Sequence, residues 1–273
     1  MRQDGIRTVT YKTPGTGRRA LLCLVLGGAI LFFAFRLQAV RGFPLPFLRV
    51  PSGTATEKAE GGRREQELSL SAHTLYALQL GAFTQESAAL QLAQQFIARG
   101  AAGYVHFDGS AYRVLAAAYP TRAEAQAVQT RLGNQNISTY IHPCALDALT
   151  LRMAGTPAQV QSLSDALDYL DALGEKLYAL SASLDGRAMG AEDVRSALLS
   201  EGVTCAGLQQ KLLAAFDQSL PASLLPVEDL LSQVADAAEG IRNENSTARI
   251  GAALKRCHLT VFFGLSDFSG HLQ

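Results

Sequence analysis

Five side chains carry the chemistry that this sequence offers most readily: Gln79, Tyr104, His106, Arg113 and Tyr140. Planar aromatic rings can cover the C–H faces of pyranose sugars, while an amide and a guanidinium hydrogen-bond their hydroxyls, so the mixture suits a sugar polymer. The five act together only if the chain brings them to one surface. Strand alternation does this. In a strand over 74–80, Tyr76, Leu78 and Leu80 share one face and Ala77, Gln79 and Gly81 the other. The same rule sends Val105, Phe107, Tyr112 and Val114 inward and Tyr104, His106 and Arg113 outward. Farther on, Ile137, Thr139 and Ile141 form one set and Ser138, Tyr140 and His142 the other. The reading requires the outward face to be open and Gln79 not to lie beneath the helices.

The elements that position these residues follow from local signals. A strand over 74–80 precedes a helix over 85–99 that stops at Gly100. Strands over 103–107 and 111–116 flank Asp108-Gly109, a hairpin-turn pair. A helix over 122–132, a turn at Gly133-Asn134 and a strand over 137–142 complete the order βαββαβ. That order predicts a ferredoxin-like α+β domain with both helices on one face of a four-stranded antiparallel sheet.

Beyond Cys144 the pattern is helical, and residues 150–273 read as an all-α bundle. Thr156-Pro157 is a cap followed by proline at the first helical position. Val160, Leu163, Leu167, Leu170, Leu173, Leu177, Leu180 and Leu184 then recur at three- and four-residue intervals, giving one long amphipathic helix. Helical segments over 191–199, 207–220, 228–241 and 247–263 follow.

The phrase Leu75-Tyr-Ala-Leu-Gln-Leu-Gly-Ala-Phe83, with Tyr112-Arg113-Val114 farther along, resembles the sporulation-related repeat, or SPOR domain, of bacterial envelope proteins. The resemblance covers roughly residues 72–144. It implies a non-enzymatic module that binds peptidoglycan glycan strands stripped of stem peptides, at the division septum or at sporulation membranes. Gln79 stands at the family's most characteristic position; strand alternation adds Tyr104, His106, Arg113 and Tyr140 to the glycan-binding set, the alternatives being a solvated sheet-face charge for Arg113 and packing at the sheet rim for Tyr104 and Tyr140. From its chemistry alone, Arg113 can pair bidentately with the lactyl carboxylate of a bare muramic acid. The sequence departs from the family where Ala117-Ala118-Tyr119 replaces the usual Gly-Pro-Phe, which removes an easy positive-φ bend.

Residues 20–35 are uncharged and apolar, and 37–40 extend the run past Arg36. At ~1.5 Å per residue the uncharged core spans about 24 Å, and a snorkelling Arg36 lets a transmembrane helix over 20–40 reach the ~30 Å of a hydrocarbon slab. Arg2, Arg7, Lys12, Arg18 and Arg19 precede it, against Arg36, Arg41 and Arg49 at or beyond its far end. This places a stub over 1–19 in the cytoplasm and exports the remainder. A cleaved secretory signal ending near Leu37-Gln38-Ala39 is the competing reading, and it too exports the chain. Residues 41–70, with Pro44, Pro46, Pro51, Gly53, Gly61 and Gly62, read as a linker.

Lys and Arg number 24 and Asp and Glu 24, a zero balance that argues against nucleic acid as a partner. Of the four cysteines, Cys23 falls in the apolar run. Cys144, Cys205 and Cys257 are read either as buried small hydrophobes or as holding one disulfide, such as Cys205 with Cys257. His73, His106, His142, His258 and His271 lack zinc-site spacing, so no metal and no cofactor is expected. Asp165 with Asp168, and Glu192 with Asp193, read as solvated helix faces rather than catalytic pairs. Two rivals stand beside glycan binding. One is a scaffold that docks an envelope protein through residues 150–273, and the other is a wall hydrolase of unfamiliar type in that half.

Overall fold

The centre of the structure is β2 (His73–Phe83), an eleven-residue strand hydrogen-bonded on both sides. The computed structural model describes residues 62–272. The expected cytoplasmic stub, the transmembrane helix over 20–40, Cys23 and the linker up to residue 61 lie outside the described residues. Among the described residues no helix is long and apolar enough to cross a membrane.

β2 pairs antiparallel with β4 (Tyr112–Tyr119) and with β5 (Tyr140–Leu146), and β3 (Tyr104–Phe107) pairs with β4. The resulting order is β3-β4-β2-β5, with α1 (Glu86–Ile97) and α2 (Arg122–Gly133) filling the two crossovers. This is the expected βαββαβ arrangement. Thr121 caps α2, accepting from the Glu124 amide while the Glu124 carboxylate accepts from the Thr121 amide. β5 starts three residues later than expected and runs on through Pro143, which an edge strand tolerates.

One face of this sheet packs on the two short helices as expected. Leu78, Ala116 and Ile141 bury against Ala125 of α2, and Val114 buries against Ala89 and Ala93 of α1. Alanine on the helices permits a close approach. The loop from α1 to β3 closes at Gly103, whose φ is +55°. A Cβ there would fall 2.6 Å from Ile97 Cγ1 and 2.9 Å from the Ala93 carbonyl oxygen, so both dihedral and space require glycine.

Residues 150–273 differ from a separate helical bundle in two respects. First, the linker expected over 41–70 ends in a strand, β1 (Arg64–Leu70), which pairs antiparallel with β6 (Leu149–Gly155), each absorbing residues assigned to another class. Leu68, Leu70 and Leu149 are buried against α3 (Pro157–Asp185), whose start is fixed by a Thr156–Gln159 capping box. β1 reads as mixed charge in isolation, and its partner lies far along the chain. Second, the segments expected over 191–199 and 207–220 are one helix, α4 (Ala191–Ala215). Gly202, with Val203 and Thr204 after it, weakens local helix preference. Packing overrides this, because a Cβ on Gly202 would come within 2.5 Å of the Ala238 Cβ on α5 (Leu225–Gly240).

The last helix, α6 (Thr247–His271), settles how the two halves relate. Leu75, Ala77, Leu115, Ala118, Cys144 and Leu146 on the second sheet face join one continuous apolar core with Leu170, Leu173 and Leu177 of α3 and Val261, Phe262 and Phe263 of α6. Residues 72–144 and 150–273 are therefore not independent domains. Ala59–Gln273 forms one compact unit, a sheet between a two-helix layer and a four-helix layer. Cys144, Cys205 and Cys257 are free and buried, in line with small hydrophobes rather than a Cys205–Cys257 disulfide.

Two cations of α6 fasten this union at the α1–β3 loop. Lys255 Nζ donates to the Gly100 carbonyl at 3.2 Å and to Asp185 at 3.0 Å. Arg256 donates through Nε to the Ala102 carbonyl at 3.1 Å and through Nη2 to that of Gly103 at 3.0 Å. In urea melts, Arg256→Ala is expected to lower stability by about 1–3 kcal/mol, since two carbonyls lose charged donors. Fluorescence and circular dichroism should report a single coincident transition for the wild type. Two separate transitions would contradict the shared core.

Candidate functional site

The five residues singled out from sequence all project from the sheet face opposite α1 and α2. On β2, Gln79 stands opposite Leu115 of β4 and Tyr140 of β5, and on β3, Tyr104 and His106 stand opposite Leu115 and Arg113. Strict alternation nevertheless fails just after Gln79. The register shifts between Leu78 and Gln79 and again between Gln79 and Gly81, so Gly81 is opposite Val114 and a Cβ on it would meet Leu92 of α1 at 3.0 Å. Gly81, expected on the outward face, is thus turned toward the helices by a bulge. No residue pattern announces that extra step.

A polar chain runs across the face from the hairpin tip to Gln79. Asp108 accepts from the amides of Ser110 and Ala111, both at 2.9 Å, and from the Ser110 hydroxyl at 2.8 Å. These bonds, with the adjoining Arg113 guanidinium, hold its carboxyl well below the usual carboxylate range. Gly109, at φ +89°, lets the turn close around that carboxylate. Arg113 donates through Nε to Asp108 at 2.5 Å, pairs with it again through Nη2, and donates through Nη1 to Gln79 Oε1 at 2.9 Å.

This geometry alters the part expected of Arg113. One side of its guanidinium and its positive charge are already met by Asp108, so it offers less to a ligand carboxylate than a free arginine would. Its clearest act is to fix Gln79. With Oε1 held by a cationic donor, the Gln79 amide nitrogen is left to donate outward. Gln79 itself is half-buried, and Tyr140 beside it is 63% exposed.

The other two residues are differently placed. Phe263 of α6 stacks on Tyr104, with ring centroids 5.4 Å apart and planes 9° apart, and on His106 at 4.0 Å and 22°. Burial, with Asp267 nearby, pushes the Tyr104 hydroxyl up to about 12. Burial lowers the His106 pKa against the opposing influence of Asp267 and Asp108. The outward face is therefore roofed by α6 along β3 and accessible around Gln79, Arg113 and Tyr140. The roof was not legible because nothing in the periodicity of α6 says which surface its apolar stripe meets.

Two contributors escaped the sequence reading of the site. Asp108 was assigned only to a turn, although a carboxylate five residues before an arginine across a tight hairpin is a usable pairing signal. His142 shares the face with Gln79 through its pairing with Ala77. Burial, then the Arg113 charge, lowers its pKa.

With this geometry in view, comparison with known families gives one result. The SPOR domain family model matches residues 72–142. SPOR domains are peptidoglycan-binding modules typical of cell division proteins, and they bind rather than catalyse. The matched span contains β2, β3 and β4, both helices of the four-stranded sheet and the first three residues of β5. The SPOR match therefore agrees with the resemblance carried by Gln79 and Tyr112-Arg113-Val114. No curated protein and no solved structure matches the chain.

If Asp108 steadies Arg113 and Arg113 steadies Gln79, Asp108→Asn should loosen the Gln79 side chain without unfolding the sheet. The Gln79 side-chain NH2 group is expected to move with larger amplitude in that variant, as read by NMR relaxation. Unchanged relaxation would break the chain of dependence.

Proposed function

We propose that this protein is a membrane-anchored, non-enzymatic binder of peptidoglycan, and that its ligand is the glycan strand freed of stem peptides. The observation that carries the reading is the Gln79 amide, held through Oε1 by Arg113 on the accessible part of the sheet face of a SPOR-matching segment. Its N–H groups, unbonded among the described residues, offer donors to sugar hydroxyls or to an acetamido carbonyl, and the exposed Tyr140 ring offers a surface to pyranose C–H groups. His142 adds a further polar group, while Tyr104 and His106 support the face from beneath Phe263.

The apolar run over 20–40 supplies the anchor, with the N-terminus in the cytoplasm and the described residues outside. Anchoring confines the search to the membrane surface. A weak contact with each disaccharide then becomes effective through the many neighbouring sites on one polymer. Cell division is the setting favoured by the SPOR match, with sporulation as the other.

A second reading is favoured by the roof over β3. In it the sheet face is mainly an internal packing surface, and the helical layer docks an envelope protein.

Sedimentation with purified sacculi separates the two. Binding is expected to rise after amidase treatment removes stem peptides, and Gln79→Ala is expected to weaken it by about tenfold, the equivalent of ~1.4 kcal/mol. Binding that is indifferent to both treatments would remove the glycan reading.

A further inference from the structure

At the opposite end of β2 from Gln79, a cavity of about 330 Å³ opens between the sheet, α3 and α6. Its floor is apolar, formed by Leu75, Leu146, Leu170, Val261, Phe262 and Leu265. Polar groups join it from three elements: His73 and Thr74 on β2, Asp171, Glu175 and Tyr178 on α3, and His258 on α6. Among the described residues no lysine or arginine lines it. An apolar volume with a few convergent polar groups is the ordinary form of a small-molecule site.

His258 is the informative member. It is only 5% exposed, and among the described residues its ring has no hydrogen-bond partner. Gly174 on α3 leaves room beside the ring: a Cβ there would lie 4.0 Å from His258 Cδ2 and meet nothing nearer. The imidazole also borders a smaller cavity on the far side of Tyr178. Burial drives its pKa down to about 4, so at pH 7 the ring is neutral and has one acceptor and one donor unused.

The rim is acidic. Asp171 and Glu175 stand one helical turn apart on α3, and Glu175 is exposed at the mouth. Asp171 Oδ1 stands within hydrogen-bond distance of His73 Nε2, at 2.8 Å. Tyr178 donates its hydroxyl to Glu124 at 2.9 Å, which orients its ring along the wall.

We propose that this cavity binds a small organic cation with an apolar body, the cationic group lying between Asp171 and Glu175, the body on the leucine and phenylalanine floor, and a polar substituent meeting His258. Charge selects the class. An anion would face two carboxylates with no lysine or arginine in the lining among the described residues, whereas a cation would supply Glu175 with a partner beside the His73 that already meets Asp171. The site is separate from the Gln79 face and does not depend on glycan binding.

Cyclohexylammonium, cyclohexanol and cyclohexanecarboxylate share one apolar body and differ in head group, so they test the assignment on the full chain held in lipid nanodiscs. NMR of the histidine rings is the readout. The expected result is a saturable shift of the His258 resonances with cyclohexylammonium at pH 7, binding at least tenfold weaker for cyclohexanol, and none for the carboxylate. Gly174→Leu fills the space with a good helix former and is expected to abolish the shift. Asp171→Asn is expected to weaken it about tenfold. Absence of a saturable shift with the ammonium compound, or equal binding by either of the other two, would overturn the proposal. So would an undiminished shift in a folded Gly174→Leu protein.

Discussion

The structure depends on one constraint: both faces of the four-stranded sheet are apolar over much of their area, and both have to be covered. Two alanine-rich helices cover one side within the SPOR-matching span itself. Leu75, Ala77, Leu115, Cys144 and Leu146 on the other side would face water if nothing else were present, and α6 lies against them. Burial of each of the three leucines contributes roughly 1.5–3 kcal/mol. No plausible surface interaction outweighs that. The helical layer is consequently part of the sheet's own core.

The same constraint divides the polar residues of that face. Where α6 crosses β3, Tyr104 and His106 become packing partners of Phe263, and their aromatic faces are spent inside the protein. Where α6 does not reach, Gln79, Arg113 and Tyr140 keep contact with solvent. Electrostatics then sharpens the accessible part. A turn carboxylate bound by two amides holds an arginine, and the arginine holds a glutamine carbonyl. Each bond in the series reduces the freedom of the next side chain, so the amide at its end is pre-organised before any ligand arrives.

Much of this was legible in the sequence because it is local. Alternation put Gln79, Tyr104, His106, Arg113 and Tyr140 on a common face, Asp108-Gly109 marked the hairpin, and Thr156-Pro157 marked the start of α3. The long leucine repeat of α3 ended within a residue of Asp185. What escaped is non-local. β1 acquires meaning only beside β6, α4 continues through Gly202 only because α5 approaches there, and the bulge at Gln79 depends on how β2 fits β4. The roof over β3 is of the same kind. An amphipathic helix declares that it has an apolar stripe but not what the stripe will touch.

The order of synthesis gives the position of α6 a further meaning. All four strands of the sheet leave the ribosome before α6, which begins at Thr247, roughly a hundred residues after the last of them. At ~5–20 residues per second, the nascent sheet spends on the order of ten seconds with one greasy side uncovered. Until the final helix arrives, Leu75, Leu115 and Leu146 lack the cover that Val261, Phe262 and Phe263 bring to their core.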